Sequence, residues 1–164
     1  MSNVKDANAP ANFLIVNYSY ATYYAVKNAL AIGANVIFLD HDASACKELM
    51  NDKTLKALMA ATGAKLVTDN SGYDTILKYA PKANVLIVGN QVATEKSANR
   101  VNDEVISALP FGAVFVDLAA ECGGSYDGVN KFNKPTKSYV SANNNVVCLA
   151  YDNIPDQFPV TISK

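Results

Sequence analysis

Short runs of apolar residues alternate along the chain with longer stretches in which apolar positions recur every three or four residues. Phe13-Leu14-Ile15-Val16 is apolar throughout and only strand length, the pattern of a parallel strand covered on both faces. From Tyr20 to Ile32, Ala21, Tyr24, Ala25, Ala29 and Leu30 fall at helical offsets, and Gly33 follows as a stop signal. Val36-Ile37-Phe38-Leu39 repeats the strand run and ends in Asp40-His41-Asp42. The next helical stretch, Ala43 to Thr62, carries Cys46, Leu49, Met50, Leu55, Leu58 and Met59 at three- and four-residue spacing, with Asn51-Asp52 as the point where it can divide.

The alternation continues. Lys65-Leu66-Val67 reads as a short strand, Thr75 to Tyr79 as a short helix, and Val85-Leu86-Ile87-Val88 as a buried strand ending at Gly89. Asn102 caps a helix whose apolar face is Val105, Ile106 and Leu109, and Pro110-Phe111-Gly112 turns the chain into a strand from Ala113 to Leu118. Residues 119–138 read as irregular, and Val146 to Leu149 as a last strand. Two prolines keep the tail from Asn153 onward from being one long helix.

Strands separated by helices over five cycles predict an α/β architecture: a Rossmann-like, doubly wound, mostly parallel sheet with helices on both faces, in three layers. Residues 1–11 form a polar lead-in and 12–164 a single domain. In such sheets ligands sit at the carboxyl ends of the strands, where strand order reverses.

The 164 residues suffice for a core without staples. Fourteen Lys and Arg balance fifteen Asp and Glu, which disfavours nucleic acid as a partner. Cys46, Cys122 and Cys148 are widely spaced among apolar neighbours and read as small buried hydrophobes in a reducing compartment. The lone histidine, His41, rules out multi-histidine metal sites, and no zinc pattern exists. With no apolar run long enough to span a bilayer, no membrane insertion is expected and a cytoplasmic location follows by default.

The turn after the first strand is the place to seek a dinucleotide. A Gly-x-Gly-x-x-Gly turn combines a tight turn, close approach of backbone to pyrophosphate, and close packing of helix on strand. Here the six positions read Asn17-Tyr18-Ser19-Tyr20-Ala21-Thr22. Asn tolerates the left-handed backbone required at the first, and Ser is small at the second, but Thr22 adds β-branched bulk where packing is closest. Two readings stand side by side. In one, Ser19, Thr22 and the helix N-terminus donate hydrogen bonds to an anion; in the other, which is preferred, the helix start is merely capped and the tyrosines are packing, and Tyr18 and Tyr20, backed by Tyr23 and Tyr24, can then fill the cleft and block binding.

Asp40 lies 23 residues after Asn17, where an acid at the end of the second strand accepts hydrogen bonds from an adenosine ribose. The same residue, like Asp42 and Ser44, equally suits a turn or helix cap. A strand-end acid also serves S-adenosylmethionine, so Asp40 alone does not name the ligand. His41 reads as a loop residue, no Ser-His-Asp set can be argued, and a nucleophilic Cys122 would need a positive neighbour. No catalytic residue and no metal ligand are assigned.

Val116-Asp117-Leu118-Ala119-Ala120-Glu121-Cys122-Gly123-Gly124 resembles the NAD(H)-binding segment of alanine dehydrogenases and of proton-translocating transhydrogenases. Ala150-Tyr151-Asp152-Asn153-Ile154-Pro155 is similar to the family's GYTDLP exit from the nucleotide domain, and Leu109-Pro110-Phe111-Gly112-Ala113-Val114 to its MKPGSV entry. The resemblance covers about Ala11 to Thr161 and implies an NAD(H)-binding fold. It places Glu121 where alanine dehydrogenases carry a functional Asp and transhydrogenases commonly Glu or Gln. It also implies that substrate-binding groups belong to another part of the family's subunit, so the sequence read here is not expected to be a complete enzyme.

The departures are Asn17, Ser19 and Thr22 in place of the three glycines, and Tyr20 where the family has a small apolar residue near the cofactor. The expected function is therefore a degenerate, non-catalytic relative serving assembly or partner binding, as a homo-oligomer or with a protein partner, with no cofactor. The alternative is an NAD(H)-binding subunit of a split transhydrogenase or dehydrogenase, if the cleft is open. Its cofactor contacts would come from Asn17, Ser19, Tyr20, Thr22, Asp40 and Glu121.

Overall fold

In the computed structural model, which describes residues 9–89, 101–118, 125–126 and 138–150, the apolar runs become strands of one sheet and the periodic stretches become helices. The order along the chain is β1 (Asn12–Val16), α1 (Tyr20–Ala31), β2 (Asn35–Asp40), α2 (Ala43–Asn51), α3 (Lys53–Thr62), β3 (Leu66–Asn70), α4 (Tyr73–Tyr79), β4 (Val85–Val88), α5 (Asp103–Ala108), β5 (Val114–Asp117), β6 (Ser138–Val140) and β7 (Val147–Ala150).

The strands lie in the order β3-β2-β1-β4-β5-β7-β6, parallel except for the antiparallel pair β6 and β7. Because β1 has β2 on one side and β4 on the other, strand order reverses at β1, and the crevice at the ends of β1 and β4 is the place where ligands bind in such sheets. Successive side chains on each strand face opposite ways. Ile15, Val36 and Phe38 pack with Val26, Leu30, Leu49 and Leu55 on one side of the sheet. Leu14, Val16, Leu39, Leu86 and Phe115 pack with Ile76, Val105 and Ile106 on the other. The three-layer, doubly wound arrangement follows from this split.

The helical stretch 43–62 divides at Asp52, which ends α2 and caps α3 in extended backbone. Its carboxylate accepts from the Leu55 amide at 2.9 Å and from the Tyr23 hydroxyl of α1 at 2.9 Å. The amide bond first, and the phenol after it, hold this carboxyl below the usual aspartate range. A carboxyl whose folded pKa lies below its unfolded value stabilises the fold above the unfolded value and loses that contribution as pH falls through the folded one. Asp52→Ala is accordingly expected to cost about 1 kcal/mol at pH 7 and less at pH 3, measured by urea unfolding at the two pH values.

Two elements differ from the sequence pattern. β3 extends to Asn70 rather than stopping at Val67, since Thr68, Asp69 and Asn70 belong to an edge strand whose outer side tolerates polar residues. β6 was not expected at all: its three residues are too few to show a period. It is held by the turn at Ser141 to Asn145, where Ser141 N–H donates to Val146 O and Asn145 adopts a φ of 50°. From the same turn the Asn144 side-chain amide donates to the carbonyls of Ile106 and Leu109, satisfying the carboxyl end of α5.

Candidate functional site

The turn between β1 and α1 is built from its own small polar groups. Asn17, buried, takes a φ of 69°, the left-handed conformation for which a glycine is usual and Asn the next best residue. Its amide donates to Leu39 O at 2.9 Å, which fastens the turn to β2. Ser19 is the N-cap of α1: its Oγ accepts from the Thr22 amide at 3.1 Å, while Thr22 Oγ1 accepts from the Ser19 amide at 2.7 Å. This reciprocal capping box satisfies two of the donors left over at a helix start.

The bulk of Thr22 does not push α1 away from the sheet. Thr22 is fully buried and its hydroxyl also donates to Asn17 O at 2.7 Å. Room for its methyl comes from Gly89, directly after β4: a Cβ placed there would lie 2.5 Å from Thr22 Cγ2 and 2.8 Å from Asn17 O. Close packing of helix and strand, the task of the third glycine in the familiar turn, has passed to a glycine on the neighbouring strand. The sequence offered one signal for it, a glycine ending a buried strand.

The tyrosines each meet a particular neighbour. Tyr20 is 79% exposed, and its ring packs edge-on with Tyr24 at 4.9 Å between centroids, the two hydroxyls 3.3 Å apart. As residues i and i+4 they share the outer side of α1. Tyr18 is 41% exposed, its ring edge-on to Phe38 at 6.5 Å. Tyr23 is occupied by Asp52. Tyr20 takes this course because a side chain at the first position of a helix meets its neighbour one turn on before it meets the sheet.

Asp40 is 96% shielded, at 4% exposure, at the end of β2. One carboxylate oxygen accepts from the Tyr18 amide at 2.6 Å and the other from the Asp42 amide at 2.8 Å. His41 Nδ1 stands 3.2 Å from that second oxygen. The acid is thus lashed to the β1 turn, a link that spacing along the chain did not reveal. A cavity of about 360 Å³ opens beside it at the carboxyl ends of β2 and β3, walled by Asp40, His41, Cys46, Thr68, Asp69 and Asn70. Asp42 is the N-cap of α2, where the Ser44 hydroxyl and amide lower its pKa.

Of the cysteines, Cys148 is buried as expected, whereas Cys46 is only half-buried and lines this cavity. Burial, then the charge of Asp40, raises the Cys46 thiol, which keeps it protonated and a poor nucleophile. Glu121 and Cys122 lie outside the described residues. Asp117, buried at the end of β5, accepts from the Ser125 amide at 2.8 Å. Among the described residues no group of three His, Cys, Asp or Glu side chains is placed to hold a metal, and no helix is long and apolar enough to cross a membrane.

The structure joins Asn17, Ser19 and Thr22 in one hydrogen-bonded turn and ties that turn to Asp40 through the Tyr18 amide, while Tyr20 is exposed and packs on Tyr24. The family model described as alanine dehydrogenase/PNT, C-terminal domain, matches residues 2–164. The alanine dehydrogenase of Methanococcus maripaludis is 29% identical over 122 residues, covering 74% of this chain and 30% of that protein. That of Mycolicibacterium smegmatis is 24% identical, covering 93% and 38%. The chain spans about a third of the length of these relatives. Among solved structures, an L-alanine dehydrogenase superposes with a TM-score of 0.63 at 21% identity, over 92% of this chain and 38% of that one. A transhydrogenase from Sinorhizobium meliloti superposes with a TM-score of 0.58 at 21% identity, over 91% and 39%.

Proposed function

Because the chain belongs to the alanine dehydrogenase/PNT C-terminal domain family, we propose that its crevice binds NAD(H), with Asp40 holding the adenosine ribose and the start of α1 facing the pyrophosphate. The observation that carries this reading is the bond from the Tyr18 amide to Asp40, which ties the candidate ribose acid to the turn that would face the pyrophosphate. The residues present fit the group. Asn17 supplies the left-handed turn, Gly89 makes room for the bulk of Thr22, and the capping box of Ser19 and Thr22 fixes the start of α1.

When bound, the nicotinamide supplies the hydride chemistry, and the protein orients and binds. Within this chain Asp40 accepts from the ribose hydroxyls through lone pairs beyond those given to Tyr18 and Asp42, since an ionised carboxylate has about four acceptor sites. The reaction of the alanine dehydrogenases needs substrate-binding groups that the resemblance assigns elsewhere in the family's subunit. We therefore read this chain as the cofactor-holding unit of such an enzyme.

A second reading, a degenerate relative that serves assembly or partner binding, is favoured by the two bonds already made by Asp40 and by the exposed Tyr20–Tyr24 pair, with the Lys27 ammonium 5.7 Å from the centre of the Tyr24 ring. A thermal-shift comparison with NADH, NAD, NADPH and S-adenosylmethionine separates the two. Selective binding to the folded state stabilises it by about 2.7 kcal/mol at a hundredfold excess over the dissociation constant. A rise in Tm with NADH or NAD is the expected result. No rise with any of them, together with a dimer or larger species in sedimentation, would leave the second reading standing.

A further inference from the structure

We propose that β3 is a self-pairing edge: two copies of this chain join antiparallel about a twofold axis at Val67, so that one sheet runs through the dimer. β3 ends the strand order, with β2 on one side and, among the described residues, no strand on the other. The bonds from the Val36 amide to Lys65 O and from the Ser71 amide to Asp40 O fix which groups face β2. In a parallel ladder the residues whose backbone turns toward the neighbour alternate with those turned away. Lys65, Val67, Asp69 and Ser71 therefore bond to β2, and the backbone N–H and C=O of Leu66 and Thr68 point outward along the edge.

That outward run is closed at both ends. The Ala64 amide donates to Thr62 Oγ1 at 3.2 Å and the Asn70 amide to Asp69 Oδ1 at 2.8 Å. The open groups thus lie one residue either side of Val67, and the register that matches all of them sets Leu66 of one copy opposite Thr68 of the other, each pair exchanging both bonds. Registers shifted by two residues place an open amide against a closed one.

The same register pairs the side chains. Lys65, Val67 and Asp69 share one face of the strand. Across the axis Val67 meets Val67 and Lys65 meets Asp69, all at non-hydrogen-bonded positions, where side chains come closest. Val67 is 49% exposed in the single chain. Lys65 is exposed, and Asp69, 38% exposed, accepts from the Tyr79 hydroxyl at 2.8 Å with the Lys78 ammonium 3.8 Å away. An ionised carboxylate has about four acceptor sites, so an ammonium from the second copy finds lone pairs to bond. Charges on an edge strand ordinarily keep copies apart. Here they are complementary in the one register that the backbone favours, since a shift of two residues sets Lys65 against Val67 or Ser71. Being isologous, the contact closes on two copies and leaves no β3 edge for a third.

The test is sedimentation velocity of the full chain up to millimolar concentration, with folding of each variant checked by circular dichroism. The native chain is expected to show a monomer–dimer equilibrium. Lys65→Glu sets acid against acid across the axis, and Asp69→Lys sets cation against cation. Each alone should raise the dissociation constant about tenfold, whereas an equimolar mixture of the two should associate as the native chain does, since every charge then meets its opposite. Thr68→Pro removes an outward amide without touching the ladder to β2, and should abolish the dimer independently of charge. A native chain that stays monomeric at millimolar concentration overturns the inference. So does a dimer whose dissociation constant is unchanged in Lys65→Glu and Thr68→Pro, or a mixture of folded variants that associates no better than either alone. The NAD(H) reading stands apart from these outcomes, because the pairing uses no residue assigned to the cofactor.

Discussion

Gly89→Ala is expected to lower the unfolding free energy by about 3 kcal/mol, at the upper end of what overpacking a closed site costs. The added Cβ would meet backbone and a buried side chain at once, 2.8 Å from Asn17 O and 2.5 Å from Thr22 Cγ2. Neither can yield cheaply. Asn17 O accepts the Thr22 hydroxyl, the Asn17 amide is tied to Leu39 O, and the Gly89 amide donates to Val16 O at 2.8 Å. Urea unfolding of the single variant and of Gly89→Ala with Thr22→Ser measures the effect. The serine keeps the hydroxyl and removes the methyl, so it should restore part of the loss but not the part due to Asn17 O. A cost below 1 kcal/mol would mean that β4 and the turn relax apart, and that close packing there does not shape the crevice.

Asp40→Ala is expected to weaken NADH binding about tenfold to a hundredfold, the worth of one or two hydrogen bonds to a charged acceptor. It should also lower stability by about 2 kcal/mol, because the Tyr18 and Asp42 amides lose their acceptors at a shielded site. The two effects are separated by measuring affinity well below the melting temperature of the variant. Loss of stability with unchanged NADH affinity would make Asp40 a brace of the turn and nothing more. Loss of both fits a residue that couples the turn to the ribose.

Much of the crevice was legible before any coordinates. Asn17 was expected to take the left-handed conformation on the strength of its short polar side chain, and it does. Ser19 and Thr22 were expected to act at the helix start, and they form its capping box. Asp40 was placed at the end of β2 by spacing alone. The ring partners of Tyr18 and Tyr20 were not legible, since the direction of a ring depends on which neighbour it meets: Phe38 for Tyr18, and for Tyr20 the Tyr24 ring one helical turn away. The bulk of Thr22 looked like an obstacle because the compensating residue, Gly89, belongs to another strand.

The sequence by itself determined the features that act over a few residues: the strand runs, the helix break at Asp52, the cap at Asn102, the left-handed turn at Asn17, and through their alternation the doubly wound sheet. Local hydrogen bonding and side-chain periodicity need no distant partner, so the residues that satisfy them are adjacent in the chain. The tertiary structure alone decided that Gly89 makes room for Thr22, that the Tyr18 amide holds Asp40, that Cys46 lines the cavity, and that Ser138 to Val140 pairs at the edge of the sheet. Each of these is a meeting of atoms far apart in sequence, and only the packed sheet sets their distances.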